Sequence, residues 1–472
     1  MMKEKIENRN ESSFNYDQIY FIGIGGSGIS NLARYFLSQG KLVGGYDRTE
    51  SALTEQLRSE GAYLHYKDQI DEIPAAFTDR ERTLVVYTPA VPASHGELTY
   101  FRLNGFRMMK RAELLGEITR ASDAICVAGT HGKTTVSSMT AHLLRQSHVD
   151  CNAFLGGILK NYNTNLLLSE QSKITVAEAD EYDRSFHWLR PHIAIITSAD
   201  PDHLDIYGTA EAYRESFEHF TSLIRPGGTL LLKIGTVLTP KTVQGVNVRS
   251  YSESEGDYHA ENIRIGDGEI RFDYVSPGQR INDIILGVPV QINIENSVAA
   301  MAAAELCGAT ADEMRKAIAS FAGARRRFDF HIKSDRIVFI DDYAHHPREL
   351  TAAIESIKAL YPERKLTALF QPHLYSRTRD FADQFAESLS LADEVILLDI
   401  YPAREEPIEG VTSGMLLEKI TLAQKQLCSK EGVLDCLCNL EMEVLVTFGA
   451  GDIDRLLPAI EKMLRERYLM ND

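Results

Sequence analysis

Between the apolar run AICVA and a helical stretch ending in AHLLRQ stands the septet Gly129-Thr130-His131-Gly132-Lys133-Thr134-Thr135. A buried strand that turns through glycines straight into a helix needs a sheet to lie in and a sheet face to receive the helix. That restricts this part of the chain to an α/β architecture. The turn leaves successive backbone N–H groups pointing out of the helix N-terminus, which forms an anion cradle. Lys133 suits the β- and γ-phosphates of ATP, and the Thr134 hydroxyl suits Mg²⁺. Val127 stands where the common G-x-x-x-x-G-K-[ST] loop has its first glycine, so this turn is two residues tighter. A chance G-K-T is common; the whole septet between a strand and a helix is not.

The same strand, glycine turn and helix occur earlier, in IYFIG, Gly23-Ile24-Gly25-Gly26-Ser27-Gly28 and ISNLARYFLSQG. Asp47 closes the following strand, KLVGGYD, about 20 residues on, as in dinucleotide-binding folds. A diphosphate fits this helix N-terminus. In an isolated domain NAD would be the first guess; beside an ATP loop, a nucleotide diphosphate-sugar fits better. TLVVYTPAV reads as a third strand and RAELLGEITRAS as the helix entering a second unit. There KITVAEAD, HIAIITSAD and GTLLLKI read as buried strands, residues 245–290 as a β-rich appendage, and ENSVAAMAAAELCG as the closing helix. DRIVFIDDYAHHP, LTALFQPH, EVILLDIYPA and MEVLVTFGAGD supply the strands of a third α/β unit. The expected architecture has a Rossmann-like N-terminal domain at 1–116, a central P-loop ATPase-like domain at 117–325 and a C-terminal Rossmann-like domain at 326–472.

Length agrees with this count, since 472 residues make three domains at ~150 residues each. A hydrophobic fraction of 44% with 25% charged residues is ordinary for a globular chain. No apolar run approaches the ~20 residues of a membrane helix. The opening MMKEKIENRNESSFNYDQ is polar, has no apolar signal core and reads as a short disordered arm. Cys126, Cys151, Cys307, Cys428, Cys436 and Cys438 are scattered, which suits reduced thiols in the cytoplasm. A net charge of −17 argues against a nucleic-acid binder, because such a protein shows a basic stripe. A few local donors still suffice for a nucleotide. A monomer or weak homodimer is the expected assembly.

Two acidic segments follow strands of the central unit. Glu178-Ala179-Asp180-Glu181-Tyr182-Asp183 and Asp200-Pro201-Asp202-His203-Leu204-Asp205 stand at neighbouring strand ends beside the phosphate loop. A solvated acidic loop explains either one alone; both together suggest sites for divalent cations that bridge ATP phosphates. Further on come Arg325-Arg326-Arg327, then Asp341-Asp342-Tyr343-Ala344-His345-His346-Pro347 and Gln371-Pro372-His373-Leu374-Tyr375-Ser376-Arg377. Their cations and imidazoles suit carboxylate and phosphate handling.

Taken together, GTHGKTT, EADEYD, DHLDIYG, ENSVAA, RRRFD, DDYAHHP, FQPHLYSRT and YPAREEPI resemble the Mur ligases over nearly the whole chain. The resemblance implies joining of L-alanine to the lactyl carboxylate of UDP-N-acetylmuramate through an acyl phosphate, with ATP and Mg²⁺, in peptidoglycan precursor synthesis. It also implies roles by position. Residues 129 to 135 would hold ATP, with Lys133 on the transferred phosphoryl group. Thr134, Glu178 and His203 would serve Mg²⁺. Asn293 and Asn296 would face adenine, Asp342 the ribose and Arg327 the phosphates. Gly23, Gly25, Gly26, Ser27, Gly28 and Asp47 would take the UDP-sugar, and Tyr343, His345 and Arg377 the amino acid. The chain departs from the family pattern at Ile292, where His is common, at Thr197-Ser198, where Thr-Asn is usual, and at Leu374, where Arg is frequent. It also has no lysine from His203 to Leu232, so the carbamylated lysine of some relatives is absent. Glu218 or His219 is the expected substitute. A related ligase that attaches a recycled tripeptide to the same UDP-sugar is the nearest alternative. An NAD-dependent dehydrogenase or a non-catalytic nucleotide sensor would leave the phosphate loop or the acidic segments without a purpose.

Overall fold

The expected strands appear as parallel ladders in the computed structural model, which describes residues 16–470 apart from 89, 267 and 404; the side chains of Ser27 and Asp205 also lie outside the described residues. Of the polar opening stretch, residues 1–15 fall outside the description. Its last residues are not part of an arm, because Gln18 already opens the first strand and Asp17 pairs with Arg82 at 3.2 Å. The chain groups into two compact units. One holds the described residues up to Gly157, with Thr164–Ser252 and Ala299–Glu313; the other holds Ile158–Asn163, Glu253–Val298 and the chain from Met314 onward.

The first unit contains two sheets. β1 (Gln18–Ile22), β2 (Leu42–Tyr46), β3 (Tyr63–His65), β4 (Thr83–Tyr87) and β5 (Arg107–Lys110) lie in the order β3-β2-β1-β4-β5, all parallel. The strand order reverses at β1, so the Gly23–Gly28 turn leaves the sheet at a topological switch point, where α/β folds bind ligands. The second sheet is built from β6 (Asp123–Ala128), β7 (Asn152–Leu159), β8 (Thr164–Leu167), β9 (Ile174–Ala179), β10 (Ile193–Ile196), β11 (Thr229–Lys233) and β12 (Asn247–Tyr251), in the order β12-β11-β10-β6-β9-β7-β8. β6 lies between β10 and β9, with Ala128 in register with Ile196 on one side and Ala179 on the other. The phosphate loop therefore emerges between the two acidic segments. These strands are buried on both faces and read as continuous apolar runs, as central parallel strands do. One apolar cluster joins the two sheets, from Phe21 and Leu32 to Cys126, Ala177 and Phe217. The rings of Tyr35 and Phe154 meet across it, 5.6 Å apart.

In the second unit the expected appendage is a three-stranded antiparallel sheet of β13 (His259–Gly266), β14 (Glu269–Val275) and β15 (Arg280–Ile285). The other sheet contains β16 (Asp329–Lys333), β17 (Val338–Asp342), β18 (Leu366–Phe370), β19 (Glu394–Leu397), β20 (Lys425–Leu427) and β21 (Val444–Phe448), ordered β16-β17-β21-β18-β19-β20. Only its edge pair β16 and β17 is antiparallel among the described ladders. Residues 116 and 117 lie inside one continuous helix, Arg111–Ala121, while 325 and 326 lie in the connection between the helix Ala311–Ser320 and β16.

Candidate active site

Gly132 caps the helix Lys133–Arg145 in the left-handed region at φ 82°, a conformation that glycine adopts without strain. The strands on either side hold the loop. The Thr130 hydroxyl donates to the Asp200 carbonyl at 2.7 Å, the His131 amide donates to the Ser198 hydroxyl at 2.9 Å, and the Thr197 hydroxyl donates to the His131 carbonyl. Thr197 and Ser198 thus fasten the Gly129–Thr135 turn to the end of β10. Lys133 donates to the Gly129 carbonyl at 2.6 Å and to Glu181 at 2.8 Å. The Thr134 hydroxyl donates to Glu178 at 2.9 Å, and the Gly156 amide donates to the same carboxylate at 2.9 Å. Burial pushes the Glu178 carboxyl up, and the Thr134 hydrogen bond and Lys133 charge oppose that rise. His203 lies in the left-handed region at φ 51°, with its ring edge-on to Tyr182 at 5.0 Å.

The first glycine turn is held from beneath. Asp47 accepts from the Gly25 amide at 2.7 Å and from the Thr49 amide at 3.1 Å, so it braces the turn. A Cβ on Gly25 would stand 2.8 Å from that carboxylate, and one on Gly28 would stand 3.1 Å from the Arg111 guanidinium. A cleft of about 850 Å³ opens here, lined by Gly23, Gly25, Gly26, Gly28, Asp47 and Arg111 at one end and by Lys133, Gly156, Glu178 and Asp180 at the other. The first glycine turn and Lys133 at the end of the second therefore face the same cavity.

In the second unit Asn296 donates to Asn293 at 3.0 Å, and Asn293 donates to the Val288 carbonyl at 3.2 Å, both in the buried first turn of the helix Ile292–Leu306. Ile292 itself points out, 51% exposed. Asp342 accepts from the Phe328 and Ala344 amides, each at 2.7 Å, and so anchors the arginine triplet to the end of β17. Burial raises its carboxyl to about 6 despite those bonds. The Arg327 guanidinium lies over the Tyr343 ring at 5.4 Å. Tyr343, His345 and His373 form a line of rings with centroids 5.2 and 6.2 Å apart. Burial lowers both imidazoles below the usual histidine range, and the Arg377 charge adds to this. Arg377 sits on the short helix Tyr375–Asp380, and its Nη1 is buried without a hydrogen-bond partner among the described residues. Leu374 enters this helix with φ 71°, unusual for a non-glycine residue and the kind of outlier that clusters at functional sites.

Three family descriptions match this chain in series. Residues 18–123 match the Mur ligase family catalytic domain, residues 127–304 the Mur ligase middle domain, and residues 326–441 the Mur ligase glutamate ligase domain. The chain belongs to the Mur ligase family. A Parabacteroides distasonis protein named UDP-N-acetylmuramate–L-alanine ligase is 63% identical over 447 residues, covering 94% of this chain and 97% of that protein. A Phocaeicola vulgatus protein of the same name is 61% identical over 450 residues, covering 95% and 98%. Among solved structures, UDP-N-acetylmuramate-alanine ligase from Thermotoga maritima matches with a TM-score of 0.75 at 26% identity, covering 95% of this chain and 99% of that one. Mur ligases depend on ATP, and the three-domain α/β architecture expected from the sequence is that of the family.

For a magnesium ion the donor chemistry fits: a threonine hydroxyl and a carboxylate in contact beside a phosphate loop are hard oxygen ligands. The described side-chain contacts of His203 are with Tyr182 and Asp202 instead. Among the described residues no three His, Cys, Asp or Glu side chains cluster at metal-binding spacing. Glu218 pairs with Lys241 at 2.9 Å and His219 packs edge-on against His187 at 4.6 Å, so the described contacts of these two residues are structural. Arg111, Ser198 and Glu181 have no role assigned by sequence alone. Glu181 carries a signal as a member of the acidic run and Ser198 as part of the Thr197-Ser198 departure; Arg111 carries none. No described helix is long and apolar enough to cross a membrane.

Proposed function

We propose that this chain joins L-alanine to the lactyl carboxylate of UDP-N-acetylmuramate at the expense of ATP, the first amino-acid addition to a peptidoglycan precursor. The observation that carries this reading is the cleft lined both by the Gly23–Gly28 turn and by Lys133. A diphosphate on the first turn directs the sugar end of its ligand toward the second, where the γ-phosphate of ATP would lie. Lys133 offsets charge on the transferred phosphoryl group, and the loop amides hold the rest of the triphosphate. Glu178 and Thr134, with His203 brought in, would hold Mg²⁺, which neutralises phosphate charge. Asn293, Asn296, Asp342 and Arg327 serve the adenosine and phosphate ends of ATP. Arg377 grips the alanine carboxylate, and Tyr343 shapes the pocket. His345, whose proton affinity burial lowers, would accept a proton from the amine as it attacks the acyl phosphate. Phosphate then leaves and an amide remains.

The names of the relatives support the choice of amino acid and UDP-sugar. Six free cysteines suit a reducing compartment, so we place the enzyme in the cytoplasm, as a monomer or weak homodimer. ADP release measured with UDP-N-acetylmuramate tests the reading. It should require L-alanine, and neither the tripeptide L-alanyl-γ-D-glutamyl-meso-diaminopimelate nor NAD should replace it. Turnover with the tripeptide alone would transfer the chain to the recycling ligases.

A further inference from the structure

Lys133 is already occupied. Its ammonium makes short hydrogen bonds to the Gly129 carbonyl at 2.6 Å and to Glu181 Oε1 at 2.8 Å; the Thr130 carbonyl, at 3.5 Å, is a weak third acceptor. The Glu181 side chain is only 2% exposed, and its other oxygen is buried with no partner among the described residues. Its backbone is fixed, because both the Arg184 amide and the Tyr207 hydroxyl donate to the Glu181 carbonyl. Lys133 lines the cleft, whereas Glu181 is not among the lining residues. The ion pair thus draws the ammonium from the cleft toward an immobile, buried carboxylate. We propose that Glu181 is a positioning residue that holds Lys133 as counter-ion in the nucleotide-free enzyme and competes with the nucleotide's phosphates for it.

This rests on the reading of residues 129 to 135 as the ATP loop. Transfer of Lys133 to a phosphate leaves the Glu181 carboxylate buried without its cation, and an uncompensated buried charge is strongly unfavourable. Nucleotide binding must offset that penalty. A glutamine at this position would keep the shape and remove the charge.

The test is the affinity for ADP in the full-length protein, read by displacement of a fluorescent ADP analogue. Glu181→Gln should bind ADP about fivefold tighter or more than the wild type, since coupled pairs of this kind interact strongly. In a Lys133→Met background the same change should shift affinity by less than about twofold. A merely structural role would weaken binding or leave it unchanged, and it would not depend on Lys133. Glu181→Asp, which withdraws the carboxylate by one methylene, should also tighten ADP binding, and it stands in if the glutamine variant does not fold. Equal or weaker ADP binding in the folded variant, or the same tightening without Lys133, overturns the proposal. A wild-type protein that binds no ADP overturns the ATP-loop reading along with it; wild-type binding with no tightening overturns the role of Glu181 alone.

Discussion

On the proposed reading, replacing Arg377 by alanine should strip the L-alanine site of its carboxylate clamp. The guanidinium is half-buried, its Nη1 has no partner among the described residues, and two neutral imidazoles stand nearby, so an incoming carboxylate finds its opposite charge in Arg377. The loop that carries it is held independently: the Thr378 hydroxyl donates to the Leu374 carbonyl at 2.8 Å, and the Ser376 amide donates to Glu405 at 2.9 Å. The variant should therefore fold with its melting temperature little changed. Loss of one partner of a charge-assisted hydrogen bond costs ~1.5–3 kcal/mol, about 10- to 150-fold in affinity. The apparent KM for L-alanine should rise by that factor in an ADP-release assay with ATP and UDP-N-acetylmuramate saturating. Arg377→Lys should recover part of the loss, because a point charge cannot reproduce the two-pronged contact. If Arg377→Ala left the L-alanine constant unchanged and raised the ATP constant instead, the residue would belong to the phosphate site.

Lys133→Ala should lower turnover by ~10²–10³-fold while the fold persists; a folded variant that kept more than a tenth of wild-type activity would remove the lysine from the phosphoryl site. Gly25→Ala places a Cβ 2.8 Å from Asp47 and should weaken UDP-N-acetylmuramate binding without changing ADP binding. In titrations the wild-type turn should take the UDP-sugar and not NAD. Glu97 is fully buried against Tyr20 and His65, and burial raises its carboxyl from 4.5 to about 8. The folded state therefore keeps a proton that the unfolded chain releases. The resulting stability is complete below the unfolded value and is lost as pH rises toward the folded one. Thermal melts should show the wild type losing ground to Glu97→Gln between pH 5 and pH 8; parallel curves for the two proteins would refute the assignment.

The strands that the sequence revealed are the ones buried on both faces. β1, β6, β9, β10, β17, β18 and β21 are apolar almost throughout, and a run such as TLVVY or VLVTF has no other place to go. What escaped lies mostly at the margins. β3 is YLH, β5 is RMMK and β20 is KQL, strands of three or four residues that pair along one side or near an edge, where polar side chains are tolerated and no pattern forms. β7 escaped for a different reason: its second half, GGIL, is partly exposed and reads as a turn. Among site residues, glycine loops and acidic runs announce themselves because their chemistry needs several special residues in a row. Arg111 does not, and Ser198 stands out only as a departure from the family pattern whose contact the sequence does not give. Each acts through a position that only the folded sheet creates, Arg111 beside a glycine 83 places earlier and Ser198 beneath the His131 amide.

The joining of the first two sheets by one apolar cluster bears directly on catalysis. A phosphoryl transfer needs its two oxygens aligned to within fractions of an ångström, and proximity of that kind supplies much of the rate. Here the turn after β1 and the turn after β6 each grow from the end of a buried central strand. Phe21 and Leu32 behind the first turn pack into the same core as Cys126 and Ala177 behind the second. Asn31, one turn into the helix after the first loop, donates to the carbonyl of Asn165 in β8 at 3.3 Å, a polar contact across the same junction. Close-packed interiors deform little, so the spacing of the two anion cradles is set by the core and not by the ligands. On the proposed reading, both ligands then meet a cavity already dimensioned for them.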